Sequence, residues 1–113
     1  MKTVKTFYAH IFLGLKDLDA EFVYPIEDVK SICQSFCDEV GLCVTITPTE
    51  FVYTNGNESG CVVGLINYPR FPNTELNIRE TAIKLGTKLL FLFNQKRLSI
   101  EFLDETVMLS DEE

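Results

Sequence analysis

The chain has 113 residues, about one domain's worth, with 46% hydrophobic and 24% charged residues, which is ordinary globular usage. Nine Phe and four Tyr can fill a core, which excludes intrinsic disorder, and no apolar run reaches the roughly 18 residues of a membrane span. The net charge of −7 argues against nucleic acid as a partner, because phosphate contacts need clustered Lys and Arg.

The opening residues Met1-Lys2-Thr3-Val4-Lys5 are followed by no apolar run with a small-residue cleavage site, so no secretory leader is expected. Residues 3 to 15 read as a strand: Phe7, Ala9, Ile11, Leu13 and Leu15 alternate on one face. The other face carries Tyr8, His10 and Phe12. Aromatics on both faces point to a second face that is also covered, by a ligand or a second subunit. Residues 16 to 24 are acidic and irregular. Pro25 suits the first helical position, and Glu27 and Asp28 follow where negative charge meets the helix dipole. Ile26, Val29, Cys33, Phe36, Cys37 and Val40 keep a helical period, and Gly41 supplies the stop. The spacing predicts a helix over about 26–40.

Residues 42 to 53 are rich in β-branched and aromatic types and predict a strand, with Pro48 marking an edge position or a bulge. Asn55 to Gly60 is strong turn chemistry, so Cys61 to Tyr68 returns as the second strand of a hairpin. Tyr68-Pro69-Arg70-Phe71-Pro72 is a stiff loop; a cis Tyr68-Pro69 bond is the minority alternative. Asn77-Ile78-Arg79-Glu80 matches a capping box with Asn77 as the cap. It opens a helix over about 78–94 with a core stripe of Ile78, Ala82, Leu85, Leu89 and Leu92. Arg79, Lys84, Lys88 and Phe91 fall off that stripe, and the exposed Phe beside two lysines marks a contact surface. Leu98 to Leu103 alternates as another strand, Asp104-Glu105 is a turn, and Thr106 to Leu109 can add a short final strand. Ser110 to Glu113 is an acidic, frayed tail.

The order strand, helix, strand, strand, helix, strand matches the split β-α-β-β-α-β unit. The expected fold is therefore α+β and ferredoxin-like, one domain over 1–113, with two helices on one face of an antiparallel sheet and a short extra C-terminal strand.

Charge is unevenly spread. Residues 66 to 97 hold six cations (Arg70, Arg79, Lys84, Lys88, Lys96, Arg97) and two acids (Glu75, Glu80), a net of +4, leaving −11 for the rest. A solvated helix face explains this, and so does a site for an anionic ligand or an acidic partner. Around Tyr68 to Pro72, Arg70 and Arg79 supply charge and Tyr68 and Phe71 supply stacking for a planar ring, next to a helix N-terminus. The competing structural reading is a rigid corner with Arg70 solvated and Phe71 in the core. Glycine-rich phosphate motifs are absent. His10 is the sole histidine and the one side chain suited to proton transfer near neutral pH. Tyr8, Tyr53 or Glu50 are its candidate partners, against the plainer reading of a half-buried sheet histidine. Glu101, Asp104 and Glu105 form an acid set that suits either a divalent cation or a solvated turn. Gly60 reads as a turn residue and Gly64 as a close backbone approach.

Cys33, Cys37, Cys43 and Cys61 lack the paired spacing of zinc sites. Cys33 and Cys37, four apart on the first predicted helix, read as small core hydrophobes; free thiols fit a reducing cytoplasm, and no metal or cofactor is expected.

The segments Gly64-Leu65-Ile66-Asn67-Tyr68-Pro69-Arg70-Phe71-Pro72 and Asp104-Glu105-Thr106-Val107-Met108 give a chain that resembles small single-domain accessory proteins encoded by bacteriophages, most of them without an assigned activity. That resemblance transfers no site residue. It implies work in a bacterial host cytoplasm and binding of a host component, such as a signalling nucleotide or a defence protein.

Together these readings lead first to a non-enzymatic homo-oligomer that binds or sequesters a small anionic, nucleotide-like ligand through Tyr68, Arg70, Phe71 and Arg79. Its interfaces would use Tyr8, His10, Phe12, Lys84, Lys88 and Phe91. The alternatives are an adaptor or inhibitor of a host protein, and a small enzyme using His10 as acid or base.

Overall fold

The computed structural model describes residues 1–111; Glu112 and Glu113, the end of the expected tail, lie outside the described residues. Seven elements follow in chain order: β1 (Tyr8–Gly14), α1 (Ile26–Val40), β2 (Thr45–Tyr53), β3 (Gly56–Ile66), α2 (Glu75–Leu92), β4 (Arg97–Phe102) and β5 (Thr106–Ser110). The strands form one sheet in the order β2-β3-β1-β4-β5, with every neighbouring pair antiparallel. This is the ferredoxin-like arrangement, an α+β fold, with β5 added at the β4 edge.

The alternation in β1 does what its period demands. Ala9, Ile11 and Leu13 are fully buried, and each of the larger two stabilises the fold by ~2 kcal/mol through apolar burial. They meet Val29, Cys33 and Phe36 of α1 and Ile78, Ala82, Leu85, Leu89 and Leu90 of α2 in one cluster. α2 lies close on the sheet because Gly86 has no side chain: a Cβ there would stand 2.9 Å from Ile100 Cδ1 and 3.1 Å from Leu109 Cδ1.

Several boundaries differ from the expectations. Regular pairing in β1 starts at Tyr8 and not at residue 3. Pro25 is the N-cap of α1, extended at φ −72° and ψ 151°, so the helix begins one residue later. Gly41 ends α1 in the left-handed region at φ 73° and donates its N–H to the Cys37 carbonyl. Pro48 sits in an uninterrupted edge strand, opposite Cys61, where its missing N–H costs no ladder bond. The hairpin turn is only Thr54-Asn55, with Asn55 at φ 63°. Gly56 to Gly60 therefore belong to β3, and Gly60 lies under the Phe51 ring instead of in a turn.

α2 begins at Glu75. Thr74 is its cap, accepting from the Asn77 N–H at 3.0 Å. The expected Asn77-Glu80 box is displaced because Thr74 offers the same hydroxyl-to-N3 bond three residues earlier. Asn94, at φ 46°, turns the chain away after Leu92. Residues 16 to 24 are more ordered than their composition suggests. Asp17 and Phe22 pair through backbone, Tyr24 donates to the Asp17 carboxylate at 2.5 Å, and Asn94 donates to Asp17 and Asp19. Within the expected tail, Ser110 ends β5 and the Asp111 N–H reaches the Lys96 carbonyl.

Candidate functional site

A cavity of about 510 Å³ opens where the C-terminal end of α1, the start of β2, the end of β3 and the first turns of α2 converge. That volume lies in the range of small-molecule sites. Its apolar wall is Phe36, Leu65, Tyr68 and Phe71, and its polar groups include Cys43, Asn77, Glu80, Thr81 and Lys84.

The loop from Tyr68 to Pro72 forms one side. Its peptide bonds are trans, the Tyr68-Pro69 bond included. The Phe71 N–H donates to the Tyr68 carbonyl at 3.1 Å, a tight turn with Pro69 and Arg70 at its tip. The turn brings the Tyr68 and Phe71 rings to 5.2 Å between centroids, tilted by 42°. Phe71 is 49% exposed, so it does not enter the core. Tyr68 is hydrogen-bonded with Cys43, which, helped by partial burial, raises its phenol above the ordinary range. Asn73 then fixes the start of α2: its carboxamide oxygen accepts from the Thr74 N–H at 2.9 Å and from the Asn77 side-chain amide at 2.8 Å.

Of the four proposed binding residues, the fold brings together Tyr68 and Phe71. Arg70 is exposed at the loop tip and does not line the cavity. Arg79 points to the other side of α2. Its guanidinium donates to Asp104 and Glu105, each at 2.7 Å, and lies 4.2 Å from the Phe102 ring centroid. Those carboxylates are therefore partners of a cation already in the chain, which is why the acid set of Glu101, Asp104 and Glu105 does not converge. Among the described residues no group of three or more His, Cys, Asp or Glu is placed to hold a metal ion.

The third member, Glu101, pairs elsewhere. On the helix-free face of the sheet its Oε1 stands 3.0 Å from His10 Nδ1, and Tyr8 stacks on the imidazole at 4.5 Å and 18°. Registers place Thr45, Gly64, His10, Glu101 and Thr106 in one row across all five strands. Tyr8 with Ile66 lies on one side of that row and Phe12 with Val62 on the other. The sequence reading missed Glu101 as the partner of His10 because the two residues lie 91 positions apart and only sheet register joins them. Glu50, one of the candidates, instead accepts from Ser59.

Of the other expected contact residues, Lys84 borders the cavity, Lys88 Nζ stands 6.0 Å from the Phe36 ring centroid, and Phe91 is 64% exposed. All four cysteines are free. Cys33 and Cys61 are buried, and burial pushes their thiols up to about 12 and about 11. Cys37 is only half-buried and Cys43 is exposed, so of the two cysteines expected in the core, Cys33 is sealed and Cys37 is not. Cys43, Asn73, Glu80 and Thr81 gave no sequence signal as site residues. They converge only because α1 ends beside α2.

No family model matches the sequence, and no curated protein matches it. Solved structures do: the chain has the fold of a small phage lyase. One is a phage SAM lyase in complex with S-methyl-5'-thioadenosine, with a TM-score of 0.80 and 20% identity over 95% of this chain and 91% of that one. The other is a phage SAM lyase in the apo state, with a TM-score of 0.75 and 22% identity over 95% and 90%. The resemblance to phage-encoded accessory proteins is thus met at the level of fold. The expectation of a non-enzymatic, sequestering protein is corrected by the same finding, since the shared fold is that of an enzyme, and the enzyme alternative is the better supported. The bound molecule in that neighbour is nucleotide-like but neutral, not anionic. Among the described residues no helix is long and apolar enough to cross a membrane.

Proposed function

We propose that the protein is a lyase that cleaves S-adenosylmethionine and releases S-methyl-5'-thioadenosine, with the nucleoside seated in the cavity beside Tyr68 and Phe71. The observation that carries this reading is the agreement in fold over nearly the whole length of both chains with a phage SAM lyase that holds that nucleoside.

The chemistry of the cavity supports it. An adenine ring stacks on aromatic faces, each such contact contributing ~1–3 kcal/mol, and Tyr68 and Phe71 offer two. The substrate's sulfonium is a cation attracted by aromatic faces and by carboxylate, and Glu80 is the acid on the cavity wall. Lys84, one helical turn further on, suits the substrate's carboxylate. In a lyase step the bond from sulfur to the γ-carbon of the four-carbon amino-acid fragment breaks with its electron pair going to sulfur, while an oxygen of the fragment's own carboxylate bonds to that carbon and closes it into a lactone. The sulfonium becomes a neutral thioether and leaves as methylthioadenosine. A concave site assists by excluding water and holding the chain in one conformation. A net charge of −7 favours this cationic substrate in a way it does not favour an anion.

Purified protein incubated with S-adenosylmethionine is expected to release methylthioadenosine, followed by chromatography, and Glu80→Gln is expected to slow release at least tenfold. No product and no binding of either compound by the wild type overturns the reading.

The helix-free sheet face serves self-association in the same proposal. Tyr53, Ile66 and Met108 are 56%, 46% and 57% exposed there, beside Tyr8 and Phe12. Native mass spectrometry is expected to show more than one subunit, and a monomer at micromolar concentration removes this part.

A further inference from the structure

We infer that Asn67 is a positioning residue for the cavity, locking the Tyr68–Pro72 wall in place through the two ends of its carboxamide. This rests on the proposed nucleoside site and says how that site keeps its shape.

Asn67 is the buried polar side chain of the described residues, at 8% exposure. It follows β3 directly, between Ile66 and Tyr68, both on the cavity wall. Its Nδ2 donates to the Lys5 carbonyl at 2.8 Å, and its Oδ1 accepts from the Asn73 N–H at 2.8 Å. Its backbone N–H donates to the Phe7 carbonyl at 3.2 Å. The Lys5 and Phe7 bonds anchor Asn67 to the chain entering β1. The Asn73 bond closes residues 67–73 into a ring that contains both aromatic residues.

Outside Tyr68, which is bonded with Cys43, packing does little to hold that ring. Arg70, Phe71 and Pro72 are exposed, and the one backbone bond inside it is Phe71 to Tyr68. α2 carries its own cap at Thr74 and is tied to the ring through Asn73. The bridge therefore fixes where Tyr68 and Phe71 stand relative to Asn77 and Glu80. Only an amide can do this, since one short side chain must donate at one end and accept at the other. An apolar replacement leaves the Asn73 N–H and the Lys5 carbonyl, both in part-buried bonds, without their protein partner.

The test uses the full chain, with S-adenosylmethionine as substrate and methylthioadenosine as ligand. Asn67→Ala is expected to raise KM and the dissociation constant for methylthioadenosine at least tenfold, with kcat changed less than threefold. Asn67→Asp keeps the acceptor for Asn73 but sets a second acceptor against the Lys5 carbonyl, and is expected to recover only part of that affinity. Ile100→Val, which trims the core under the sheet, is expected to lower Tm and leave KM unchanged. Amide exchange in the wild type gives a second reading that needs no variant: the Asn73 N–H is expected to exchange at least tenfold more slowly than that of Arg70. An unchanged KM in Asn67→Ala, or fast exchange at Asn73, overturns the inference. Failure of the wild type to bind or cleave overturns the functional reading instead, and slow Asn73 exchange then still shows the loop locked.

Discussion

The cavity and the helix-free sheet face each carry a tyrosine paired with another ring and a carboxylate close by, yet they suit different roles. At the cavity, two helix ends and a proline-stiffened loop surround a volume of about 510 Å³, so a small molecule can lose most of its water there. On the sheet face, His10 and Glu101 form a hydrogen-bonded pair whose side chains are 38% and 43% exposed, set in a flat row between apolar rows. A flat face gives a ligand one wall, whereas a second protein surface can cover all of it. Shape, more than residue type, is why the proposal puts chemistry in one region and contact in the other.

The largest expected effect tests whether the core behind the cavity is sealed. Cys33 and Cys61 titrate near 12 and 11 because burial disfavours their thiolates, whereas unfolded thiols ionise near ~8.5. Their contribution is intact below that pH. It is lost as pH rises towards the folded values, by ~1.4 kcal/mol per pH unit for each thiol. Urea unfolding at pH 8 and pH 10.5 is expected to differ by several kcal/mol, and a flat profile would mean the core admits water.

Next in size, Phe71→Ala is expected to weaken methylthioadenosine binding at least fivefold, the loss of ~1–3 kcal/mol of stacking. Tm should fall little, because half of the ring is already in solvent. Unchanged affinity by calorimetry would move the ligand away from the cavity.

Arg79→Ala removes the bond to two carboxylates and the contact with Phe102. The carboxylates are 66% and 58% exposed, so screening limits the cost to ~1–2 kcal/mol, visible as a fall of several degrees in Tm. Turnover at a permissive temperature is expected to stay within twofold, because Arg79 does not line the cavity.

His10→Ala is expected to have the smallest effect, under ~1 kcal/mol in stability, with release of methylthioadenosine unchanged. Lost turnover with fold and subunit number intact would transfer the chemistry to the sheet face and reverse the contrast between the two regions.

Much of the fold was legible because its signals are local. Alternation in β1, the helical period ending at Gly41, and the order of elements depend on neighbours a few residues apart. Of the residues lining the cavity, the sequence singled out Tyr68 and Phe71 for binding, which one five-residue loop joins. Arg79 was assigned to the same place because it lies in the first turn of α2, yet its direction round the helix carries it to Asp104 and Glu105. The capping box at Asn77 was plausible chemistry that lost to an equivalent cap at Thr74.

By itself the sequence determined that this chain builds an α+β fold with a stiff aromatic loop before its second helix, because periodicity and proline act over short range. It also determined that charge is uneven, though not what the charges face. Only the tertiary structure decided that Glu101 belongs to His10, that Asn67 holds the loop, and that α1 ends where α2 begins, leaving a cavity between them. Those facts depend on strand register and helix packing, which join residues scores of positions apart and leave no trace in the spacing of either partner.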